Sequence, residues 1–332
     1  MTLVTYHLRK RQPGFNSVEE LFATMASGLP SQVTARWHEL PMAGASPTSL
    51  WRNCREAARQ TADVHHVTGQ VNYVACAMKG PTVLTVLDTG SSFTKSLPNR
   101  LGILLLWYWL PSLRSRRIVA ISEFTASELR RLLPFARDKI RVVHCPANPR
   151  LSFAPRPFCV DQPRVLHIGT KPNKNLERTV QALKGLGCRL TVIGKLNVQQ
   201  RTTLRESGIP FENHWDLLYD DMVREYERCD LVCFASTYEG FGMPIIEANA
   251  VGRPVIAGNV ASMPEVAGKA ACLVDPFSVE SIRAGLVRVM REPDYREHLV
   301  HQGLENVKRF APGSIALQYV RIYEEVLGRR IV

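Results

Sequence analysis

The sequence lacks the cysteine patterns of metal-binding proteins. Its eight cysteines form no C-x-x-C pair and have no histidine at zinc-ligand spacing. We therefore expect reduced, buried thiols in a cytosolic protein. The apolar run that starts at Met1 is too short for a signal peptide. The apolar run 101–110 has ten residues, whereas a transmembrane helix needs roughly 20. These absences predict a cytoplasmic location.

Several functional motifs are also missing. No G-x-G-x-x-G follows the first predicted strand, residues 1–8, which argues against a dehydrogenase. No zinc-finger, RNP or basic-helix signature supports nucleic-acid binding. No D-x-D motif lies in a suitable loop, so we expect no metal site, and no fixed-period repeat is present. The net charge of +12 nevertheless favours anionic partners, such as sugar nucleotides or anionic lipid surfaces.

Short apolar runs alternate with helical patterns along the whole chain, which predicts an α/β protein. A length of 332 residues favours two domains. Four prolines between 147 and 163 are typical of an interdomain linker. We therefore predict an N-terminal domain over 1–150 and a second domain over 164–310. Residues 311–332 form a C-terminal helix that can pack back on the first domain.

The most informative stretch is 230–252, DLVCFASTYEGFGMPIIEANAVG. A buried strand precedes a glycine-containing loop, and Pro244 starts a helix. Glycines let a ligand approach the backbone, and the helix start suits an anion such as a pyrophosphate. Glu239 lies in the loop and Glu247 eight positions later, so both carboxylates can accept hydrogen bonds from sugar hydroxyls. The plainer interpretation is an ordinary strand–helix turn with two solvated glutamates.

Other strand ends carry further candidates, because ligands bind at the carboxyl ends of strands in open α/β sheets. The strand 164–168 is followed by Gly169, Lys171 and Lys174. The positive charges of the two lysines can meet a diphosphate. The strand 189–193 runs into Gly194 and Lys195, whose backbone can hold a nucleotide base.

The motif E-G-F-G-M-P-I-I-E resembles the Glu-x7-Glu signature of retaining glycosyltransferases of family 4. The resemblance is strong over 164–277 and weak over 1–120. It implies a GT-B fold, in which two Rossmann-like domains face each other across a cleft. It also implies that Glu239 contacts the donor sugar and that Glu247 contacts the ribose. The donor-binding residues that it implies between these glutamates are Gly240, Phe241, Gly242 and Met243.

The same resemblance assigns Lys174 to neutralising the diphosphate that leaves. Many members have an arginine where this chain has Thr170, so Lys171 is the substitute. In the first half, Gly14 corresponds to a donor-facing glycine loop that usually has two glycines. A plain turn is an equally good interpretation of it. The histidine that often precedes Asp88 is replaced by Leu87, which leaves Asp88 as the candidate. Lys174, Glu239 and Asp88 are the predicted catalytic residues.

The resemblance implies transfer of a sugar from a nucleotide diphosphate sugar with retention of configuration. The acceptor would be a sugar or a lipid-linked molecule in cell-surface polysaccharide or glycolipid synthesis, and no cofactor would be needed. A GT-B nucleotide-sugar epimerase and a non-catalytic nucleotide-sugar-binding protein are the alternatives. The sequence leaves the donor, the acceptor, the linkage and the oligomeric state open.

The segment 99–117, NRLGILLLWYWLPSLRSRR, combines leucines and aromatic residues with flanking arginines. Such a composition is typical of a segment that lies at a membrane interface. It also fits a helix that packs on its own domain. Both interpretations, peripheral membrane association and internal packing, remain open at this point.

Overall fold

The computed structural model describes residues 1–11, 17–90 and 97–332, and the predicted α/β class is confirmed. The chain divides into two compact units, 1–146 together with 312–332, and 147–311. Gly14, a predicted donor-side residue, lies outside the described residues.

The first unit is built on a parallel sheet. Within the described residues its strand order is β2-β1-β3-β4-β5-β6. The strands are β1 (Thr2–Leu8), β2 (Val33–Glu39), β3 (Val64–Val67), β4 (Thr82–Val86), β5 (Arg117–Ala120) and β6 (Ile140–Val142). The central strand β4, TVLTV, is buried at every position. Such a continuous apolar run is expected where helices cover both faces of a parallel sheet.

Helices cover both faces of this sheet. One face packs on α1 and α13, and the other on α2, α5 and the helical segment Leu97–Arg114. Ser46 and Ser122 accept hydrogen bonds at the starts of α2 and α5, as N-cap residues do. The helices are α1 (Ser17–Ser27), α2 (Pro47–Ala57), α3 (Leu97–Ile103), α4 (Leu110–Arg114), α5 (Glu123–Leu132) and α13 (Pro312–Leu327). A 3-10 helix spans Asn72–Ala77, where the sequence predicts a helix over 71–78.

A buried polar cluster fastens α13 to the sheet. The hydroxyl of Tyr323 lies 2.9 Å from the hydroxyl of Tyr6 and 2.8 Å from Nδ1 of His66. Nε2 of His66 lies 2.7 Å from the Thr85 hydroxyl. Since these groups are buried, their mutual hydrogen bonds offset the loss of water. The final helix is therefore an integral part of the first unit.

Three histidines form a second polar cluster across neighbouring strands. The two ring nitrogens of His7 lie 3.0 Å from Nδ1 of His38 and 3.0 Å from Nδ1 of His65. Burial and the neighbouring histidines lower the pKa of His7 from 6.5 to about 2. Together with His66, these residues make four histidines of the first unit part of buried polar clusters.

The second unit contains another parallel sheet, with the order β12-β11-β10-β7-β8-β9 among the described strands. The strands are β7 (Arg164–Ile168), β8 (Arg189–Ile193), β9 (Phe211–His214), β10 (Leu231–Phe234), β11 (Val255–Gly258) and β12 (Cys272–Val274). The helices are α6 (Leu176–Leu183), α7 (Val198–Glu206), α8 (Tyr219–Arg228), α9 (Met243–Val251), α10 (Met263–Ala267), α11 (Val279–Arg291) and α12 (Pro293–Val307). Their apolar side chains form the core around β7, β8 and β10.

The proline-rich stretch 147–163 packs on the second unit along much of its length. Leu151 is buried, and Phe158 packs against the core. The buried carboxylate of Asp230 accepts hydrogen bonds from the backbone N–H groups of Cys159 and Arg164, at 3.1 and 2.7 Å. These contacts attach the stretch to the amino ends of β7 and β10.

In residues 1–11, 17–90 and 97–332, no helix combines the length and apolar character that a membrane crossing requires.

Candidate functional site

The second sheet reverses its direction of growth between β7 and β10. From β7 the chain continues to β8 and β9 on one side, whereas β10 is followed by β11 and β12 on the other. The connections that follow β7 and β10 therefore run to opposite sides of the sheet, an arrangement that favours a crevice at the carboxyl edge between these two strands. This is the position where open α/β sheets bind their ligands.

The loop after β7 is shaped to present Lys174. Gly169 has a φ of +95°, and a Cβ atom there would lie 2.6 Å from Cγ of Lys174. Asn175 adopts the left-handed conformation, with φ 63° and ψ 36°. Its side-chain amide donates to the carbonyls of Ala235 and Pro276, at 2.9 and 2.6 Å. The turn thus ties the β7 loop to the loops after β10 and β12.

The two predicted catalytic residues of this unit are in direct contact. Nζ of Lys174 lies 2.7 Å from Oε1 of Glu239 and 4.8 Å from the centre of the Phe234 ring. Asn173 donates from its amide to the Tyr238 carbonyl, at 2.9 Å, and lies 3.4 Å from the Glu239 carboxylate. The lysine and glutamate side chains are 20% and 14% exposed, so the pair is largely shielded from water.

The loop after β10 delivers Glu239 to the amino end of α9. Gly242, with a φ of +108°, precedes the helix, and Pro244 lies in its first turn. The Ser262 hydroxyl lies 2.9 Å from the Glu239 carbonyl and 2.7 Å from the Phe241 carbonyl, so it fixes the loop. The partial positive charge of a helix amino end favours an anion here. Gly240, Phe241, Gly242 and Met243 lie around that helix end, and their role in donor binding stays a prediction.

Glu247 lies on α9 and is held by Tyr226 of α8. The Tyr226 hydroxyl donates to Oε2 of Glu247 at 2.5 Å. Burial raises the pKa of Glu247, while the Tyr226 hydrogen bond and the charge of Lys174 act in the opposite direction. Lys174 thus interacts electrostatically with both glutamates. No sequence pattern points to Tyr226, which lies 21 positions before Glu247.

His167 is a second residue that sequence reasoning missed. It is fully buried in β7, two positions before Gly169. Burial and the nearby charge of Lys174 lower the pKa of His167 from 6.5 to about 4. The imidazole is therefore neutral at neutral pH and adds no positive charge beside Lys174.

The remaining predicted residues of this unit lie next to the same crevice. The Thr170 hydroxyl donates to the carbonyl of Lys195 at 2.9 Å, which joins the loops after β7 and β8. Gly194 has a φ of +130°, and a Cβ atom there would lie 3.0 Å from the Thr170 methyl group. The side chains of Lys171 and Lys195 are exposed. The structure therefore brings Gly169, Lys171, Lys174, Gly194 and Lys195 to one edge of the sheet.

Asp88 belongs to the first unit, beyond β4. Its carboxylate is exposed and accepts a hydrogen bond from the Gly90 N–H at 3.1 Å. Its backbone carbonyl accepts from the Tyr108 hydroxyl at 3.2 Å. The catalytic role of Asp88 remains a prediction.

Over the described ranges, no group of three or more His, Cys, Asp or Glu residues is arranged to hold a metal ion.

Two family models match the chain, one in each half. Residues 14–151 match the model described as Glycosyltransferase Family 4. Residues 154–305 match the model described as Glycosyl transferases group 1, and they include the whole crevice around Lys174, Glu239 and Glu247.

Two curated proteins are related in sequence. The O-antigen chain mannosyltransferase B of Escherichia coli is 28% identical over an alignment of 236 residues, which covers 63% of this chain and 61% of that protein. The MMP alpha-(1->4)-mannosyltransferase of Mycolicibacterium hassiacum is 27% identical over an alignment of 243 residues, which covers 67% of this chain and 59% of that protein. The matched region thus spans less than two thirds of either relative.

The fold is similar to that of a solved protein. The structure of Anabaena HepE in complex with UDP-glucose superposes with a TM-score of 0.78 at 14% sequence identity. The match covers 98% of this chain and 100% of that one, which supports a two-domain GT-B fold for the described chain. Glycosyltransferase models thus match residues 14–151 and 154–305, and together with the two sequence relatives they show that the chain belongs to the family 4 glycosyltransferases of the group 1 type.

Proposed function

We propose that the chain transfers a sugar from a nucleotide diphosphate sugar to an acceptor in cell-surface polysaccharide or glycolipid synthesis. The observation that carries the proposal is the contact between Lys174 and Glu239 at the point where the second sheet reverses its growth. The mannosyltransferase names of the two relatives and the UDP-glucose bound to HepE support a hexose donor.

The ion pair suggests how the donor is received. Without a donor, the ammonium of Lys174 and the carboxylate of Glu239 satisfy each other at 2.7 Å. An incoming diphosphate offers Lys174 a doubly charged partner, and the sugar hydroxyls offer Glu239 hydrogen-bond donors. Donor binding would therefore replace one shielded contact by two, an ion pair of Lys174 with the diphosphate and hydrogen bonds from the sugar hydroxyls to Glu239.

The same groups would assist departure of the diphosphate. Negative charge grows on the leaving group as the glycosidic bond breaks. Lys174 and the amino end of α9 would stabilise that charge, and Lys171 would add to it from the rim. Glu239 would act as an anchor for the sugar rather than as a base, and the reaction would proceed with retention of configuration. Because protein cations supply the compensation, we expect transfer to continue in the presence of EDTA.

The acceptor is proposed to be a sugar or a lipid-linked sugar at the cytoplasmic face of a membrane. Asp88 of the first unit stays a predicted catalytic residue for this reaction.

A screen of donors tests the proposal. Mannose and glucose donors carrying guanosine or uridine diphosphate are added to the full chain, and the melting temperature and nucleoside diphosphate release are recorded. We expect one donor to raise the melting temperature and to be consumed when acceptor is supplied. NMR of the product should show the anomeric configuration of the donor. If no donor changes the melting temperature and no diphosphate is released, the proposal is wrong.

A further inference from the structure

The helical segment Leu97–Arg114 of the first unit has one anchored side. Tyr108 is buried, and Ile103, Leu104 and Trp107 pack against the core. The Trp107 Nε1 group donates to the carbonyl of Gln70 at 3.0 Å. These contacts fix the orientation of the segment, so its opposite side is fixed as well.

The opposite side is apolar and exposed. Leu101, Leu105, Trp109 and Leu113 follow each other at intervals of four residues, and they are 64%, 46%, 44% and 59% exposed. Leu106 and Leu110 flank them at 37% and 38%. Single exposed apolar residues are ordinary on a protein surface, but a continuous row of them marks an interaction site.

A wide helical turn keeps this row in line. Residues Leu104–Trp109 form a π-helical turn, in which the N–H of Leu110 donates to the Leu105 carbonyl. A plain α-helix advances by 3.6 residues per turn, so positions four apart would drift steadily around it. The wider π-helical turn at Leu104–Trp109 reduces this rotation of positions four apart around the helix axis. Pro111 has no N–H group, so it cannot donate a helical hydrogen bond to the Trp107 carbonyl. That carbonyl accepts a hydrogen bond from the Asn72 side-chain amide instead, at 2.9 Å.

Phe135 extends the row beyond the helix. It is 48% exposed, and its ring centre lies 6.1 Å from that of Trp109. Trp109 donates from Nε1 to the Leu132 carbonyl at 3.2 Å, so its ring is held at the surface. We call the set Leu101, Leu105, Leu106, Trp109, Leu110, Leu113 and Phe135 the apolar face.

Arginines border the apolar face. Arg114, Arg131 and Arg137 are exposed close to it in the chain. Arg116 and Arg117, which the sequence also suggested as flanking charges, contact α13 instead. Arg116 donates to the Val326 carbonyl at 2.6 Å, and Arg117 pairs with Glu325 at 2.6 Å. Arg114 and Arg137 donate to the carbonyls of Met78 and Arg130, both at 3.1 Å, and stay exposed on the side of the segment. The basic border is therefore Arg114, Arg131 and Arg137.

We propose that the apolar face docks reversibly on an anionic phospholipid bilayer. Leucines and tryptophan would enter the headgroup region, where aromatic rings with a polar atom are favoured. The border arginines and the net charge of +12 would be attracted to the negative surface. This inference rests on the proposed function, because a lipid-linked acceptor would lie in that surface, but vesicle binding and nucleotide binding are measured separately.

Co-sedimentation of the full chain with vesicles is the test. Vesicles of phosphatidylcholine alone are compared with vesicles that also contain phosphatidylglycerol, at low and high salt. The test variant carries Leu101→Gln, Leu105→Gln and Leu113→Gln. The matched control carries Val198→Gln, Leu218→Gln and Leu317→Gln, three exposed apolar residues outside the apolar face. A third variant carries Arg131→Gln and Arg137→Gln. Melting temperatures show that each variant is folded.

Binding of the wild type and the control should rise with phosphatidylglycerol and fall with salt. The leucine variant should bind at least about tenfold more weakly, and the binding of the arginine variant should depend less steeply on salt. Wild type that stays in the supernatant with anionic vesicles at low salt overturns the proposal. So does a leucine variant that binds like the control, or a wild-type dimer that the leucine variant abolishes while vesicles remain unbound. Nucleoside diphosphate binding without vesicle binding would refute the docking surface alone.

Discussion

Lys174 is the residue from which the chemistry of the site can be tested most simply. Its charge interacts with Glu239 at 2.7 Å and also with Glu247. A group that meets charge developing in the transition state affects turnover more than ground-state binding. We expect Lys174→Ala to lower kcat about 10²–10³-fold and to change KM for the donor much less. Steady-state kinetics measure both.

Lys184→Ala, at an exposed position of the same unit, is the matched control and should leave both parameters unchanged. A Lys174→Ala enzyme with normal kcat and a raised KM would mean that the lysine only binds the donor.

Tyr226 positions Glu247 and favours its ionised form. The hydroxyl donates at 2.5 Å and lowers the pKa of Glu247, against burial, which raises it. Tyr226→Phe removes this hydrogen bond, so the pKa of Glu247 rises. If ribose hydroxyls donate to the charged carboxylate, as we propose, nucleotide binding in the variant should weaken at a higher pH than in the wild type. Calorimetry across the acidic pH range measures this shift.

Tyr73→Phe serves as the control. Tyr73 lies in the first unit, where it is also buried and hydrogen-bonded to one side chain, that of Asn53. An identical pH profile for Tyr226→Phe and the wild type would show that the tyrosine has no influence on the carboxylate.

At the scale of elements, the turn after β7 decides where Lys174 points. A Cβ atom on Gly169 would lie 2.6 Å from Cγ of Lys174, and the φ of +95° is unfavourable for alanine. We expect Gly169→Ala to cost about 1–3 kcal/mol of stability and to displace Lys174 from Glu239, so that turnover falls as in Lys174→Ala. Denaturant unfolding and kinetics measure the two effects.

Gly185→Ala separates these effects. Gly185 also has a positive φ, of +72°, but open space lies where its Cβ would be. The Gly185→Ala variant should therefore lose stability and keep its activity. Full activity in Gly169→Ala would contradict the proposed role of the turn.

The elements themselves were largely readable from the sequence. Buried parallel strands appear as short apolar runs, such as Leu231–Phe234, and capping residues such as Ser122 mark helix starts. The π-helical turn at Leu104–Trp109 was not predicted, since local patterns distinguish it poorly from an α-helix. The contact of Lys174 with Glu239 joins residues 65 positions apart, so it depends on strand order, which one sequence does not reveal. Tyr226 escaped notice for the same reason.

At the scale of the whole molecule, the first unit should be sensitive to acid. His7 has a pKa of about 2 in the folded protein, whereas its ordinary value is 6.5. Between pH 6.5 and about pH 2, the unfolded chain therefore binds a proton at His7 that the folded chain does not bind. Stability is fully present above pH 6.5 and decreases as the pH falls, by up to about 1.4 kcal/mol per pH unit for each such histidine.

Unfolding followed as a function of pH tests this expectation. His7→Leu should reduce the slope below pH 6.5, while His298→Leu, an exposed position in α12, should leave it unchanged. Equal slopes in the wild type and His7→Leu would show that the buried histidine is not responsible for acid sensitivity.

The central claim is that the crevice of the second unit holds the nucleotide of a sugar donor, and calorimetry with the diphosphate of the selected donor tests it most directly. Glu247→Gln keeps an oxygen that accepts from Tyr226 but removes the charge that ribose hydroxyls need. We predict binding by the wild type and by the exposed control Glu305→Gln, and a Kd raised about tenfold or more for Glu247→Gln, equivalent to about 1.5–3 kcal/mol. An unchanged Kd in Glu247→Gln would contradict the account.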